Sequence, residues 1–208
     1  FKNKPEISKS NIAALNSGHA FGETMEVSGE TTAYAVSEAE IETGHYRTVT
    51  GIEAVSWGLA VGAQKTGLKM MFAGYPITPA SAVLHTLSRL KKFNIITFQA
   101  EDEIAAACAA IGGSYAGALG VTASSGPGIA LKTEAIGLAI SVELPLIVLN
   151  VQRAGPSTGM PTKTEQSDLY QAVFGRNADS PLAVIAARSP GDCFYAAIEA
   201  ARIATKYM

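Results

Sequence analysis

Apolar residues recur along this chain with two different periods. From Gly51 to Thr66 they fall at helical spacing, with Ala54, Val55, Gly58, Leu59 and Gly62 on one side. Lys69–Ala73 is a short apolar run that stops at Gly74-Tyr75-Pro76-Ile77-Thr78-Pro79, which reads as a strand running into a loop. Pro79–Lys92 has helical spacing, and proline suits a first turn. Ile95–Gln99 is a second strand. Glu101–Ala116 is an alanine-rich helix whose opening charges, Glu101, Asp102 and Glu103, complement its dipole. Leu119–Ala123 is a third strand, and Ser124-Ser125-Gly126-Pro127-Gly128 then opens a helix running to about Val142. Leu146–Val151 and Leu182–Ala186 are further strands, and Pro190–Tyr207 is a closing helix. This alternation predicts an α/β fold, a parallel sheet with helices on both faces and right-handed crossovers. In such sheets ligands are met beyond the carboxyl ends of the strands. The loops Gly74–Pro79, Ser124–Gly128 and Val151–Asp168 all fall there.

The first 46 residues are different. They are polar, with one short helical pattern around Asn11–Phe21, and Thr24–Gly44 has too few large apolar residues to bury much. Residues 1–46 are therefore read as a separate tail and linker, and 47–208 as the folded domain. The opening Phe1-Lys2-Asn3-Lys4 has no initiator methionine, so a piece of a longer polypeptide is expected.

Composition narrows the function. Sixteen basic residues against eighteen acidic ones leave no basic excess for a nucleic-acid backbone. The longest apolar stretch, Ala135–Val151, is broken by Glu143 and Pro145 and does not read as a membrane span. The two cysteines, Cys108 and Cys193, form no CxxC pair. They read as reduced structural thiols of a cytoplasmic protein, unable by themselves to hold zinc or an iron–sulfur cluster. His19, His45 and His85 are not spaced as metal ligands, so no metal site is expected in this chain.

Three segments carry candidate chemistry. Glu101, Asp102 and Glu103 either balance the helix dipole or place a working carboxyl at its head. Ala106, Ala109, Ala110 and Gly112 form a small-residue face behind Glu103, where a backbone or a flat ring can approach. A carboxyl sheltered from water there could exchange a proton near neutrality. The Ser124–Gly128 loop is either a phosphate loop or a tight strand-to-helix turn, and it lacks the Walker spacing. Arg153, with Ser157, Thr158 and Thr162, either grips a carboxylate or pins its own loop through Glu165 or Asp168. Thr78 reads as an N-cap for the next helix, able also to touch a ligand.

GYPITPAS, the ExxAxxAAxG helix from Glu103, SSGPG and VQRAGPSTGMPTKTEQSDL resemble the α subunit of 2-oxoacid:ferredoxin oxidoreductases, in particular its 2-oxoglutarate-specific branch. The likeness runs from Arg47 to the end. More distantly, the glutamate helix followed by SGPG resembles the pyrimidine-binding domain of acetolactate synthase and other thiamine-diphosphate enzymes. Residues 1–46 resemble the tail of the family's γ domain and the linker of a γ–α fused subunit.

The resemblance implies a thiamine-diphosphate pyrimidine-binding domain. Glu103 matches the glutamate that hydrogen-bonds the aminopyrimidine ring, with Glu101 as its rival. Tyr75 and Pro76 match residues beside that ring. Thr78, Arg153 and Thr162 match those that position the 2-oxoacid. Ala123-Ser124-Ser125 stands where relatives often carry Thr-Ser. The implied activity is oxidative decarboxylation of a 2-oxoacid, 2-oxoglutarate ahead of pyruvate, to acyl-coenzyme A and carbon dioxide, with electrons passed to ferredoxin. The metal-diphosphate motif and cluster cysteines are missing here. The resemblance therefore places Mg2+ and the iron–sulfur cluster on a β subunit, in a hetero-oligomer sharing the cofactor. Two alternatives stay open, a non-redox thiamine-dependent decarboxylase or synthase component and a non-catalytic scaffold.

Overall fold

The computed structural model describes residues 3–25 and 34–208. The chain divides into two units, Phe1–Tyr46 and Arg47–Met208.

In the first unit, helix α1 spans Pro5–Thr24, longer than the pattern around Asn11–Phe21 implied. Pro5 starts it, and Thr24 Oγ1 closes the last turn on the Phe21 carbonyl at 2.8 Å. None of its residues is buried. Part of the expected linker, residues 26–33, lies outside the described residues, and 34–42 has no regular structure.

In the second unit, α2 (Gly51–Thr66) opens with a capping box. The Thr50 hydroxyl accepts from Glu53 N, and the Thr50 backbone N–H donates to the Glu53 carboxylate. It ends at Gly67 in the left-handed region, φ 74°. There follow β1 (Lys69–Gly74), α3 (Ser81–Leu87), β2 (Ile95–Gln99), α4 (Glu103–Tyr115), β3 (Ala118–Ser124), α5 (Gly126–Ser141), β4 (Leu146–Asn150), α6 (Leu169–Phe174) and α7 (Pro190–Tyr207). The strands form a 4-stranded parallel sheet in the order β2-β1-β3-β4. Its register sets Met70 opposite Ile95, Phe72 opposite Val121, and Val121 opposite Ile147.

Alternation along the strands separates the two faces. Met70 and Phe72 of β1, with Leu119 and Val121 of β3, pack against Leu59 of α2, Val83 and Leu87 of α3, and Ala197 and Ala201 of α7. Helices α2 and α7 touch almost backbone to backbone. A Cβ on Gly58 would lie 2.3 Å from the Phe194 carbonyl oxygen, so the small-residue stripe of α2 is a packing seam. The opposite face carries α4 and α5, whose Ala107, Ile111, Ala135 and Ala139 form a second cluster. Helix α4 lies close on the sheet for the same reason. A Cβ on Gly120 would meet the Ala110 carbonyl oxygen at 2.4 Å, and one on Gly113 the Met71 sulfur at 2.6 Å. The inward glycine of α4 is thus Gly113, and Gly112 is exposed.

Two expected elements differ. Pro79–Lys92 is not one helix: α3 is short, its end tightened by bonds from Arg89 N to Thr86 O and Leu90 N to Leu87 O, with a separate 3₁₀ turn at Lys91–Phe93. Leu182–Ala186 forms no strand. The side chains of this continuous apolar run are exposed, Leu182, Val184 and Ile185 among them, and among the described residues its backbone pairs with no strand edge. A short apolar run makes a strand only where a neighbouring edge accepts its hydrogen bonds. The short helix α6 had no clear periodicity in the sequence.

Candidate functional site

Going from β1 to β2 the chain moves to one side of β1, and α4 then carries it back to β3 on the other side. The carboxyl ends of β1 and β3 therefore flank the topological switch point, where open α/β sheets bind ligands. Tyr75, the residue after β1, reaches across this gap. Its phenol shares a 2.7 Å hydrogen bond with Ser124 Oγ at the end of β3. Tyr75 and Ser124 are both buried.

Glu103 meets this pair above Gly128. A Cβ built on Gly128 would lie 2.0 Å from Ser124 Oγ, 2.2 Å from the Tyr75 hydroxyl and 3.1 Å from Glu103 Cγ. Glycine is needed there because three side chains from three segments converge on its α-carbon. Gly128→Ala is therefore expected to break the Tyr75–Ser124 bond and cost about 1–3 kcal/mol of stability. Gly112→Ala, where a Cβ meets nothing within 4 Å, should instead be neutral or stabilise by about 0.5–1 kcal/mol. Chemical denaturation of the two variants measures the contrast.

The three acids at the head of α4 have separate positions. Asp102 is the N-cap, its Oδ1 accepting from Ala105 N at 2.8 Å. Glu101 is exposed outside the helix, and Glu103 is half-buried at the first helical position. Burial pushes the Tyr75 phenol above its ordinary range; the Ser124 hydrogen bond opposes this, and the neighbouring Glu103 carboxylate reinforces it.

Lys132, which the sequence reading passed over, lies beneath this group. Its side chain is fully buried, and Nζ donates to the Glu103 carbonyl oxygen at 2.8 Å and to Thr122 Oγ1 at 3.1 Å. The ammonium lies 5.1 Å from the centre of the Tyr75 ring. The available signal was its place in α5, four residues after Gly128 and so on the same helical face.

Arg153 follows β4 and is only 8% exposed. Its Nη1 donates to the Thr78 carbonyl oxygen at 2.7 Å and its Nη2 to the Thr158 carbonyl oxygen at 2.7 Å. It thereby ties the Gly74–Pro79 loop to the Gly155–Gly159 turn. Pairing with Glu165 or Asp168 does not occur: Glu165 accepts from Gly155 N and Asp168 from Asn150 Nδ2. Arg153 Nε is buried without a partner, a donor that an incoming acceptor would satisfy.

Thr78 does not cap α3. The N-cap is Ala80, and Ser81 Oγ takes the Ile77 N–H. Pro76, Thr78, Thr158 and Thr162 are exposed. Tyr75, Glu103, Ser124 and Lys132 are brought together, and Thr78 joins Arg153 through its carbonyl. Among the described residues, the Thr162 hydroxyl bonds to none of them. The Asp168 carboxylate lies against the start of α5, 3.2 Å from where a Gly126 Cβ would be. A negative charge there leaves Ser124–Gly128 poorly suited to phosphate, and the tight-turn reading of that loop fits better. Among the described residues no group of three His, Cys, Asp or Glu side chains is placed to hold a metal ion, and no helix is long and apolar enough to cross a membrane.

The chain is 56% identical over 207 residues to the 2-oxoglutarate oxidoreductase subunit KorA of Mycobacterium tuberculosis, covering 100% of this chain and 31% of that one. It is 47% identical over 137 residues to the 2-oxoglutarate synthase subunit KorA of Archaeoglobus fulgidus, covering 65% of this chain and 40% of that one. The fold matches a solved 2-oxoglutarate:ferredoxin oxidoreductase from Magnetococcus marinus, with 2-oxoglutarate, coenzyme A and succinyl-CoA bound. That match has a TM-score of 0.73 and 35% identity, and covers 98% of this chain and 36% of that one. The chain thus spans 31–40% of the length of these proteins. Residues 61–208 match the family described as "Pyruvate flavodoxin/ferredoxin oxidoreductase, thiamine diP-bdg". The chain belongs to the pyruvate flavodoxin/ferredoxin oxidoreductase family and carries its thiamine diphosphate-binding domain.

Proposed function

We propose that the polypeptide containing this chain is the α component of a thiamine-diphosphate-dependent 2-oxoacid:ferredoxin oxidoreductase. It converts a 2-oxoacid, 2-oxoglutarate ahead of pyruvate, to acyl-coenzyme A and carbon dioxide while ferredoxin takes the electrons. The observation that carries this reading is the convergence of Tyr75, Ser124 and Glu103 on Gly128 at the switch point. Glycine at 128 lets the half-buried Glu103 carboxyl sit beside the Tyr75 and Ser124 hydroxyls at the switch point, and the donor set of this cradle suits an aromatic heterocycle with a ring nitrogen.

Glu103, Tyr75 and Pro76 would hold the pyrimidine end of the cofactor. When bound, thiamine diphosphate supplies the nucleophile and the electron sink for the decarboxylation. Glu103 would face the ring with its carboxyl and offer a group able to hold and release a proton there. Tyr75 and Ser124 close the floor of the cradle and keep water from it. Arg153, its unpartnered Nε facing no acceptor of its own chain, orients the 2-oxoacid carboxylate together with Thr78 and Thr162. The reading assigns the diphosphate, Mg2+ and the iron–sulfur cluster to a β subunit, which makes the enzyme a hetero-oligomer. It assigns residues 1–46 to the tail and linker of a γ-like domain. A cytoplasmic location belongs to it as well, in keeping with the free thiols of Cys108 and Cys193. Preference for 2-oxoglutarate is supported by the names of the relatives.

The test is the native complex, copurified and supplied with coenzyme A and an electron acceptor. Oxidation of 2-oxoglutarate in preference to pyruvate is expected. Decarboxylation that runs equally well with no acceptor would point to a non-redox thiamine enzyme instead.

A further inference from the structure

An ammonium group wholly withdrawn from solvent demands an explanation, because burying a charge costs heavily unless it is paired. Lys132 has two neutral acceptors, the Glu103 carbonyl and Thr122 Oγ1, and a ring face. Two uncharged acceptors do not require a lysine. What distinguishes the position is what surrounds it. Gly128 and Lys132 lie on one face of α5; Glu103 Cγ borders the space over Gly128, while Nζ holds the backbone of that same glutamate. The first turn of α4 is thus tied to β3 through Thr122 from below, and Tyr75 covers the ammonium.

We propose that Lys132 is a positioning residue for Glu103: by bonding the Glu103 carbonyl and Thr122 at once, it anchors the first turn of α4, which carries the carboxyl, to β3. The proposal rests on the reading of Glu103 as the proton carrier. The titratable groups that face the ammonium are Glu103, Asp102 and Cys108 on α4 and Tyr75 after β1; Thr122 faces it from β3. Burial pulls the Lys132 ammonium down from its ordinary 10.5 to about 8, against the pull of Glu103, Asp102 and Cys108, which favour the charged form. Lys132 is therefore still charged at and below neutral pH. Its charge weakens as pH rises through about 8.

The experiment is steady-state kinetics of the assembled enzyme, with melting curves alongside. Lys132→Met leaves the Glu103 carbonyl and Thr122 without a donor, and should lower kcat by about 10²-fold with KM for the 2-oxoacid unchanged. Lys132→Gln keeps a donor too short to bridge both acceptors; should Lys132→Met misfold, Lys132→Gln should show the same fall in kcat at unchanged KM in a folded enzyme. A kcat that stays parental in folded Lys132→Gln, or that falls only in step with stability, overturns the proposal and leaves Lys132 a structural tie. Turnover of Glu103→Gln is measured in parallel. If it stays at the parental level, the functional reading of Glu103 fails whatever Lys132 does.

Discussion

Glu103→Gln in the assembled enzyme should lower 2-oxoacid turnover by about 10²–10⁴-fold, the usual worth of a positioned proton-transfer group. Glutamine has nearly the same shape, so the fold and the Gly128 cradle should survive the change. Only the ability to hold and release a proton is removed. The neighbouring acids provide controls. Glu101 is exposed outside the helix, and Glu101→Gln should leave turnover close to parental. Asp102 caps α4 through Ala105 N, and Asp102→Ala should act mainly on stability, by about 0.5–2 kcal/mol. Steady-state kinetics of the three variants, with melting curves alongside, separates a catalytic carboxyl from a charge that serves only the helix dipole.

Arg153→Lys should lower kcat/KM for the 2-oxoacid by about 10²-fold. One planar guanidinium now holds the carbonyls of Thr78 and Thr158, which belong to different loops. A lysine ammonium is a point charge on a flexible stem and lacks the rigid fork of an arginine. The two loops would then lose their fixed spacing, and the orphaned Nε disappears with the guanidinium. The loss should fall on substrate handling and not on folding, so the melting temperature of the complex should move far less than kcat/KM. A loss of stability matching the loss of activity would make Arg153 a loop clamp alone.

How much of this was legible in the sequence depended on whether the deciding contact was local. The strands β1 to β4 were marked by short apolar runs, those of β1, β3 and β4 flanked by glycine or proline, and their alternation with helices sufficed for a parallel sheet. The loops beyond the strand ends followed from topology alone. Glu103 was singled out at the head of α4 with Glu101 as its rival, and the structure places Glu103 half-buried and Glu101 outside the helix. Failures arose where a distant partner decides. Leu182–Ala186 is a short apolar run like those of the strands, but no described edge pairs with it. Thr78 has the chemistry of a cap, yet Arg153, 75 positions away, takes its carbonyl. Gly113, not Gly112, faces the sheet because Met71 lies beneath it. Lys132 was passed over, since its two acceptors lie on α4 and β3, 29 and 10 positions distant.

The most direct measurement is a crystal structure of the assembled enzyme with thiamine diphosphate bound. A Glu103 carboxyl oxygen should lie within about 2.6–3.2 Å of a pyrimidine ring nitrogen, with Tyr75 and Pro76 against the ring. A pyrimidine bound away from Gly128, or one whose ring nitrogen meets a different carboxylate, would contradict the account.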